Sequence, residues 1–237
     1  PPAPHDAGCS IGAAFLSERS RDKNIALSMP TPYLGKAYTD EEITSAFRVL
    51  GLKTPERYCE ADLISTVTSI LIKNGVVAWF QGSSEFGPRA LGNRSFLADP
   101  RSEEIREVIN NKIKKRELFR PFAPSCKKEV MTDFFKMSQV SPYMNIVAEV
   151  KKSKRSVIPA ITHIDNTARV HTVDKEVSPL YWKLIDSFEK KTGVGVLLNT
   201  SFNIQEPIVE NPTQAINCFL RSSADCLAIG PFICDSE

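Results

Sequence analysis

The sequence predicts an α/β domain of mixed α+β type, a twisted sheet with flanking helices. Amphipathic helical patterns alternate with short apolar runs, capping residues stand where the helical patterns begin, and glycines stand where they end. The 237 residues suffice for one large core, and contents of 42% apolar and 24% charged residues are typical of water-soluble globular proteins.

Prolines and small residues open the chain, and a proline-rich connector, SMPTPYLG, follows at residues 28–35. Small residues allow close packing against a neighbour, and each proline disfavours helix at the residue before it. The chain also lacks an initiating methionine. We therefore expect an N-terminal helix that packs on a preceding domain, and a domain boundary near residue 37.

The main domain begins with a helix that is predicted from a capping box formed by Thr39 and Glu42 and from a stop at Gly51. A helical pattern over residues 60–73 leads into the apolar run 76–80, which predicts a buried strand. The later elements follow the same pattern. They are strands at 145–150, 168–173, 194–198 and 227–229, and helices that open at Ser178 and Asn211.

Bulk properties exclude some classes of protein. A formal charge of +2 does not indicate a nucleic-acid binder. The six cysteines form no C-x-x-C pair and have no zinc-finger spacing, which predicts reduced thiols. No run is long enough for a membrane span and no signal-peptide pattern is present, so we expect a cytoplasmic protein.

The stretch EFGPRALGNRSFLADPR, residues 85–101, concentrates positive charge on a stiff loop directly after the buried strand. Arg89 and Arg94 offer planar forks for phosphate oxygens, and backbone N–H groups of the turn would assist them. The alternative is that these arginines pair with Glu85 or Asp99. Asp99, followed by a proline, also predicts the N-cap of the next helix.

A second basic cluster follows at residues 112–120. Lys112, Lys115 and Arg116 are interpreted mainly as a solvated helix face. Arg120 lies between Phe119 and a Pro-Phe pair, an apolar setting in which a guanidinium needs an anionic partner from the protein or from a ligand.

Two later stretches have the character of a site. Residues 162–171 place one arginine, Arg169, in a predicted strand, and residues 197–203 end a buried strand in hydrogen-bonding side chains. Strand ends are favoured ligand positions in open α/β sheets. Each stretch could also be a plain polar turn, and a metal pair of His163 and His171 is a weaker alternative.

Five motifs together resemble a known family. They are PYLG (32–35), EFGPRALGNRS (85–95), RPFAP (120–124), TAR (167–169) and LNTSFN (198–203). The chain resembles the C-terminal half of the O-carbamoyltransferases of the nodulation-factor, cephamycin and tobramycin type. The resemblance implies a YrdC-like carbamoyltransferase C-terminal domain over residues 38–237, preceded at residues 1–37 by the end of an actin-like domain and a linker.

The resemblance also implies an activity. Carbamoyl phosphate and ATP would give carbamoyl-adenylate, phosphate and pyrophosphate in this domain, and the carbamoyl group would pass to a hydroxyl of a small-molecule acceptor bound by the protein's own N-terminal actin-like domain. Mg²⁺ with the nucleotide is left open. Residues carried over by motif position as catalytic are Arg89, Lys114, Arg120 and Arg169, with Lys114 as a mobile point charge; those for nucleotide or substrate binding are Arg94, His163, Asn199, Ser201 and Asn203.

Asp6 aligns with a carboxylate that helps to bind iron in the first domain of this family, together with histidines that this chain does not contain. In this chain we favour Asp6 as a helix N-cap. Asn166 stands where a glycine often precedes Thr-Ala-Arg, a mild change because Asn tolerates left-handed backbone angles.

Two alternatives remain at this stage. One is a threonylcarbamoyl-adenylate synthase relative that serves tRNA modification, against which the Gly-Pro-Arg-Ala-Leu-Gly string argues. The other is a non-catalytic RNA-binding module that uses residues 151–155 and 112–116. A near-neutral overall charge and few aromatics beside those basic runs weaken this second alternative.

Overall fold

The computed structural model describes Ala3, residues 6–25 and residues 31–236. Within this part of the chain, the helices are α1 (Cys9–Arg21), α2 (Asp40–Val49), α3 (Glu60–Ile72), α4 (Glu104–Val108), α5 (Met131–Phe134), α6 (Pro179–Thr192) and α7 (Pro212–Arg221). The strands are β1 (Val77–Phe80), β2 (Arg94–Ala98), β3 (Ala123–Lys127), β4 (Phe135–Lys136), β5 (Ile146–Val150), β6 (Thr167–Val173), β7 (Val196–Ser201), β8 (Cys226–Ile229) and β9 (Phe232–Asp235).

The strands form one mixed sheet in the order β4-β5-β6-β3-β7-β2-β1-β8-β9. β3 with β6 and β1 with β8 are parallel, and the other neighbours are antiparallel. Helices α3 and α6 pack on each other, as do α2 and α7. The prediction of a mixed α/β fold is confirmed.

Most predicted elements are present. Thr39 caps α2 through the expected capping box with Glu42, and α7 has a second capping box that joins Asn211 to Gln214. α6 ends at Gly193, which has a φ of 75°. Because these signals act within one turn of helix, they can be read locally.

The stretch 85–101 differs from the prediction of a continuous loop. Its second half is the buried strand β2, which lies between β1 and β7. Asp99 does not cap a helix, because both carboxylate oxygens bond Arg101, at 2.6 Å to Nη2, and α4 begins only at Glu104. The strands β3, β4 and β9 were not predicted, because they are short and have no strong alternation of apolar and polar residues.

Strand register brings four parts of the chain to one end of the sheet. The loop before β2 and the end of β7 meet because Ser95 pairs with Ser201. The segment before β3 reaches the same end because Ala123 pairs with Asn199. β6 runs parallel to β3, so its first residues lie beside them. The four stretches with site character are therefore neighbours in space.

The part of the N-terminal segment that is described forms a short 3₁₀ turn (Asp6–Gly8) and α1, neither with a buried residue. Packing of this helix on a preceding domain remains a prediction, as do the two domain ranges. Residues 28–30 of the connector lie outside the described residues. Residues 31–36 contact the main domain, since Pro32 O accepts from Phe86 N at 2.8 Å and Gly35 N donates to Ser84 O at 3.0 Å.

Candidate active site

The loop before β2 is organised by the Glu85 carboxylate. Its Oε1 accepts backbone N–H groups from Leu91 at 2.7 Å, Asn93 at 2.8 Å and Arg94 at 3.2 Å. Burial raises the pKa of Glu85, and these N–H donors oppose the rise. We expected the N–H groups of this turn to face phosphate, but a protein carboxylate occupies them.

Gly92 sits in the same loop at a φ of 101°, where a Cβ would lie 2.1 Å from Tyr181 Cδ1. Only glycine combines that backbone angle with that close approach. The loop is thus held rigidly from within, and Arg89 is exposed at its tip.

Arg94 takes a structural place that differs from the expected one. The residue is fully buried, its guanidinium lies 3.6 Å from the centre of the Phe80 ring, and it donates to the carbonyls of Gln81 at 2.7 Å and Gly82 at 3.1 Å. A further bond at 3.3 Å reaches the carbonyl of Lys36 in the connector. Arg94 lines neither of the cavities described below, and backbone carbonyls accept from both of its terminal nitrogens, while its buried Nε has no partner among the described residues.

Lys114 is a fixed internal cation rather than the mobile charge we expected. It is 3% exposed and follows a π-helical turn (Ile109–Ile113). Its Nζ contacts the carbonyl and hydroxyl oxygens of Ser201 and two oxygens of Asn203, the latter both at 2.8 Å. Burial lowers the pKa of Lys114 to about 7, whereas the four oxygen acceptors favour its ammonium form.

Asn110, fully buried in that π-helical turn, holds the following loop. Its Nδ2 donates to Arg120 O at 3.0 Å and to Leu118 O at 3.3 Å, and its Oδ1 accepts from Arg116 Nε at 2.8 Å. The Arg116 guanidinium also lies 5.0 Å from the centre of the Phe122 ring. Arg116 was interpreted as part of a solvated face, and the loop that turns it inward has no signal in the sequence.

Arg120 is exposed rather than enclosed in the apolar setting that we expected, and it pairs with a carboxylate of the protein. Its Nε lies 2.8 Å from Glu117 Oε2, with about half of each side chain exposed. An exposed pair of this kind contributes about 0–1 kcal/mol to stability. A stronger anion can therefore replace Glu117 at little cost.

Arg169, on β6, is half-buried, and its Nε has no hydrogen-bond partner among the described residues. Burial lowers its pKa, and the nearby positive charge of Arg89 lowers it further. Two arginines are thus close together, and no ion pair to a carboxylate is found for either in the described part of the chain. Such an arrangement indicates a place for an anion.

These groups line two adjoining cavities. The smaller, of about 100 Å³, has Arg89, Arg116, Arg169, Asn199 and Ser201 in its wall. The larger, of about 420 Å³, is lined by Lys114, Lys115, Arg116, Glu117, Arg120, Ser201 and Asn203 among others. Arg116 and Ser201 belong to both walls, so the two form one cationic cleft at the end of β7.

Two further candidates are His163 and Asp6. His163 lines a neighbouring cavity of about 770 Å³ that shares Pro121 with the smaller cavity, and burial lowers the pKa of His163. Asp6 opens the 3₁₀ turn and does not cap α1, whose N-cap is Gly8. Over the described ranges no group of three or more His, Cys, Asp or Glu residues could hold a metal ion. The described residues therefore do not form an iron site, and we derive no step through iron.

Other expectations concern the whole chain. The six cysteines all lie among the described residues, and none of them is in a disulfide. Asn166 has a φ of 65°, the left-handed conformation that we expected it to tolerate. None of the helices described has both the length and the apolar character needed to cross a membrane.

Comparison with solved structures supports the fold. Sua5 from P. abyssi, in a complex with L-threonine, superimposes with a TM-score of 0.54 at 16% identity over 75% of this chain and 49% of that chain. Full-length HypF, in a phosphate- and nucleotide-bound form, gives 0.50 at 18% identity over 74% of this chain and 21% of that chain. The YrdC-like fold that the resemblance implied is confirmed.

Comparison with curated proteins supports the family. Nodulation protein NolO of Bradyrhizobium diazoefficiens is 42% identical over 98% of this chain and 43% of its own length. The uncharacterized protein sll1178 of Synechocystis is also 42% identical, over 98% of this chain and 42% of its own length. The chain thus spans less than half the length of these relatives. The family model described as "Carbamoyltransferase C-terminus" matches residues 68–236, and the chain therefore belongs to the carbamoyltransferase family of transferase enzymes.

Proposed function

We propose that the cationic cleft binds ATP and carbamoyl phosphate and forms carbamoyl-adenylate. The observation that carries the proposal is the pair Arg89 and Arg169, which line the same small cavity and have no ion pair to a carboxylate in the described part of the chain. Two neighbouring cations, one of them half-buried, destabilise the fold unless an anion binds to both. Carbamoyl phosphate and ATP are both polyanions.

Charge compensation is the main task of this cleft. Two unit charges 4 Å apart interact with about 4 kcal/mol at an effective dielectric constant of 20, so two polyanions repel each other strongly. Among the described residues, Glu117 is the one carboxylate in either wall, against six lysines and arginines. This excess of positive charge can hold both substrates in contact.

The roles divide by mobility. Arg89 and Arg169 face the smaller cavity as bidentate forks for a phosphoryl group, and Arg116, shared by both walls, bridges the two substrates. Arg120 is free to exchange Glu117 for the polyphosphate of ATP. Lys114 fixes Ser201 and Asn203, and so shapes the wall between the cavities.

The atoms balance with one water molecule. Water releases phosphate from carbamoyl phosphate, and a carboxylate oxygen of the resulting carbamate attacks the α-phosphorus of ATP. That step breaks the bond between the α- and β-phosphates, and pyrophosphate leaves with the electron pair. Arginine donors placed around the reacting phosphoryl groups stabilise the charge that develops. Mg²⁺ would arrive with the nucleotide, because the cleft walls offer it no pair of carboxylates.

We further propose that the carbamoyl group passes to a hydroxyl of a small molecule held by another part of a longer protein, the actin-like domain that we expect before residue 38. The length of the relatives, more than twice the span matched here, supports this division of labour.

The test is pyrophosphate exchange into ATP that depends on carbamoyl phosphate, measured on the full protein. Parallel reactions contain bicarbonate with threonine, or a mixed RNA, in place of carbamoyl phosphate. Exchange with carbamoyl phosphate alone supports the proposal. Exchange only with threonine and bicarbonate would assign the chain to threonylcarbamoyl-adenylate synthesis, and salt-sensitive RNA binding without nucleotide affinity would indicate an RNA-binding module.

A further inference from the structure

A chain of buried hydrogen bonds crosses three neighbouring strands beside the smaller cavity. Asn199 on β7 donates from Nδ2 to Ser125 Oγ on β3 at 2.9 Å, and Ser125 Oγ lies 2.8 Å from His171 Nδ1 on β6. All three side chains are at most 2% exposed. Nδ2 also donates to Ala90 O at 3.0 Å.

These contacts fix the orientation of the Asn199 amide. A backbone carbonyl can only accept, so the NH₂ group must face Ala90, and both of its hydrogens are used. The remaining Oδ1 is buried and has no hydrogen-bond partner among the described residues. A buried acceptor without a donor is costly and rare, and in a residue that lines a cavity it indicates a ligand donor.

The chemistry of the substrates identifies that donor. Ionised phosphate oxygens are acceptors, whereas the amino group of a carbamoyl moiety is a donor. The smaller cavity, of about 100 Å³, has room for a small acyl phosphate beside Arg89 and Arg169. We propose that Asn199 Oδ1 accepts a hydrogen bond from the carbamoyl NH₂ group and so selects carbamoyl phosphate over acetyl phosphate. This inference rests on the proposed function.

Ser125 and His171 act as positioning residues. Ser125 Oγ accepts from Asn199 and also lies 2.8 Å from His171 Nδ1, so its contacts on β6 and β7 hold the Asn199 amide in place. Burial lowers the pKa of His171 to about 3, so the ring stays neutral. The Tyr181 ring stacks on this imidazole with centroids 6.3 Å apart and limits its rotation.

Acetyl phosphate is the matched probe, because it replaces the NH₂ group by a methyl group of similar size. Calorimetric titration of the full protein is expected to give a Kd about 10- to 100-fold lower for carbamoyl phosphate, the range for one unmet buried acceptor. Asn199→Leu is expected to bring the ratio near 1 through lost carbamoyl phosphate affinity alone. Ser125→Ala is expected to lower the ratio several-fold, and the control Thr68→Val, which removes another buried hydroxyl, is expected to leave it unchanged.

The outcomes separate the two proposals. A wild-type protein that binds no carbamoyl phosphate and shows no exchange contradicts the proposed function itself. Equal affinity for both acyl phosphates in a protein active in exchange overturns this inference, and that comparison requires no variant. Equal weakening of both ligands in a folded Asn199→Leu protein overturns it too. So does a variant that keeps the ratio but loses its preference for ATP over 3′-deoxy-ATP, which would assign Oδ1 to a ribose hydroxyl.

Discussion

Replacing Arg169 by methionine distinguishes the effect of the guanidinium on stability from its effect on the exchange reaction. The apolar part of the side chain is retained, and the guanidinium is lost. If Arg169 supplies a donor aimed at the reacting phosphoryl group, exchange is expected to fall by about 10²–10³-fold, or about 3–4 kcal/mol.

The effect of Arg169→Met on stability is expected to have the opposite sign. The unliganded protein buries an Nε without a partner and holds the charge near Arg89. An unmet buried donor costs about 1–3 kcal/mol, of which we expect about 1 kcal/mol to be recovered. For a chain of this size, that raises Tm by about 2–4 °C.

The assay pairs thermal unfolding without ligand with carbamoyl phosphate-dependent pyrophosphate exchange. Arg155→Met is the matched control, because Arg155 is also partly buried but has an anionic partner, Glu149, at 2.9 Å. We expect this control to lose a little stability and to keep its exchange rate. A fall in both Tm and exchange for Arg169→Met would refute the reasoning, since it would make the guanidinium a structural group.

Three further predictions concern the surroundings of the site. Lys114→Met is expected to cost about 3–5 kcal/mol of unfolding free energy in a denaturant titration, because it leaves four oxygens without their cation. Lys112→Met, at an exposed position of the preceding π-helical turn, is expected to change the unfolding free energy by less than about 0.5 kcal/mol. Arg94→Met is expected to lower Tm by about 10 °C or more, because several buried carbonyls lose their donors; a folded variant with normal Tm that only lost exchange would return Arg94 to the site. The KM for ATP in steady-state exchange is expected to rise when the salt concentration is raised from 50 to 200 mM. Salt screens charges over about 8–10 Å and so weakens the binding of a polyanion by exposed arginines; a KM that does not change with salt would contradict a cationic cleft.

Elements with a local cause were predictable. The capping boxes at Thr39 and Asn211 and the left-handed end of α6 at Gly193 depend on contacts within one helical turn. The left-handed Asn166 has the same kind of cause. β2 was missed because its side chains read as part of an arginine-rich loop, and a buried central strand lacks the alternation that marks a half-buried one.

The arginines show the limit of sequence reasoning most clearly. Arg89 and Arg94 stand five residues apart in one motif and are chemically identical. Arg89 is nevertheless exposed at a loop tip, whereas Arg94 is buried and donates to backbone carbonyls. Arg116 reads as a surface cation until Asn110 is seen to turn it inward. Partners of this kind are set by chain segments that meet only after folding.

By itself, the sequence determined the fold class, most helix ends, the family, and the stretches from which a site could be built. The tertiary structure decided which cations share a cavity, which are buried for structural reasons, and which way the Asn199 amide faces. The physical reason is the sequence separation of the interacting residues. Caps and turns depend on neighbours along the chain, whereas strand register and burial depend on residues tens of positions away.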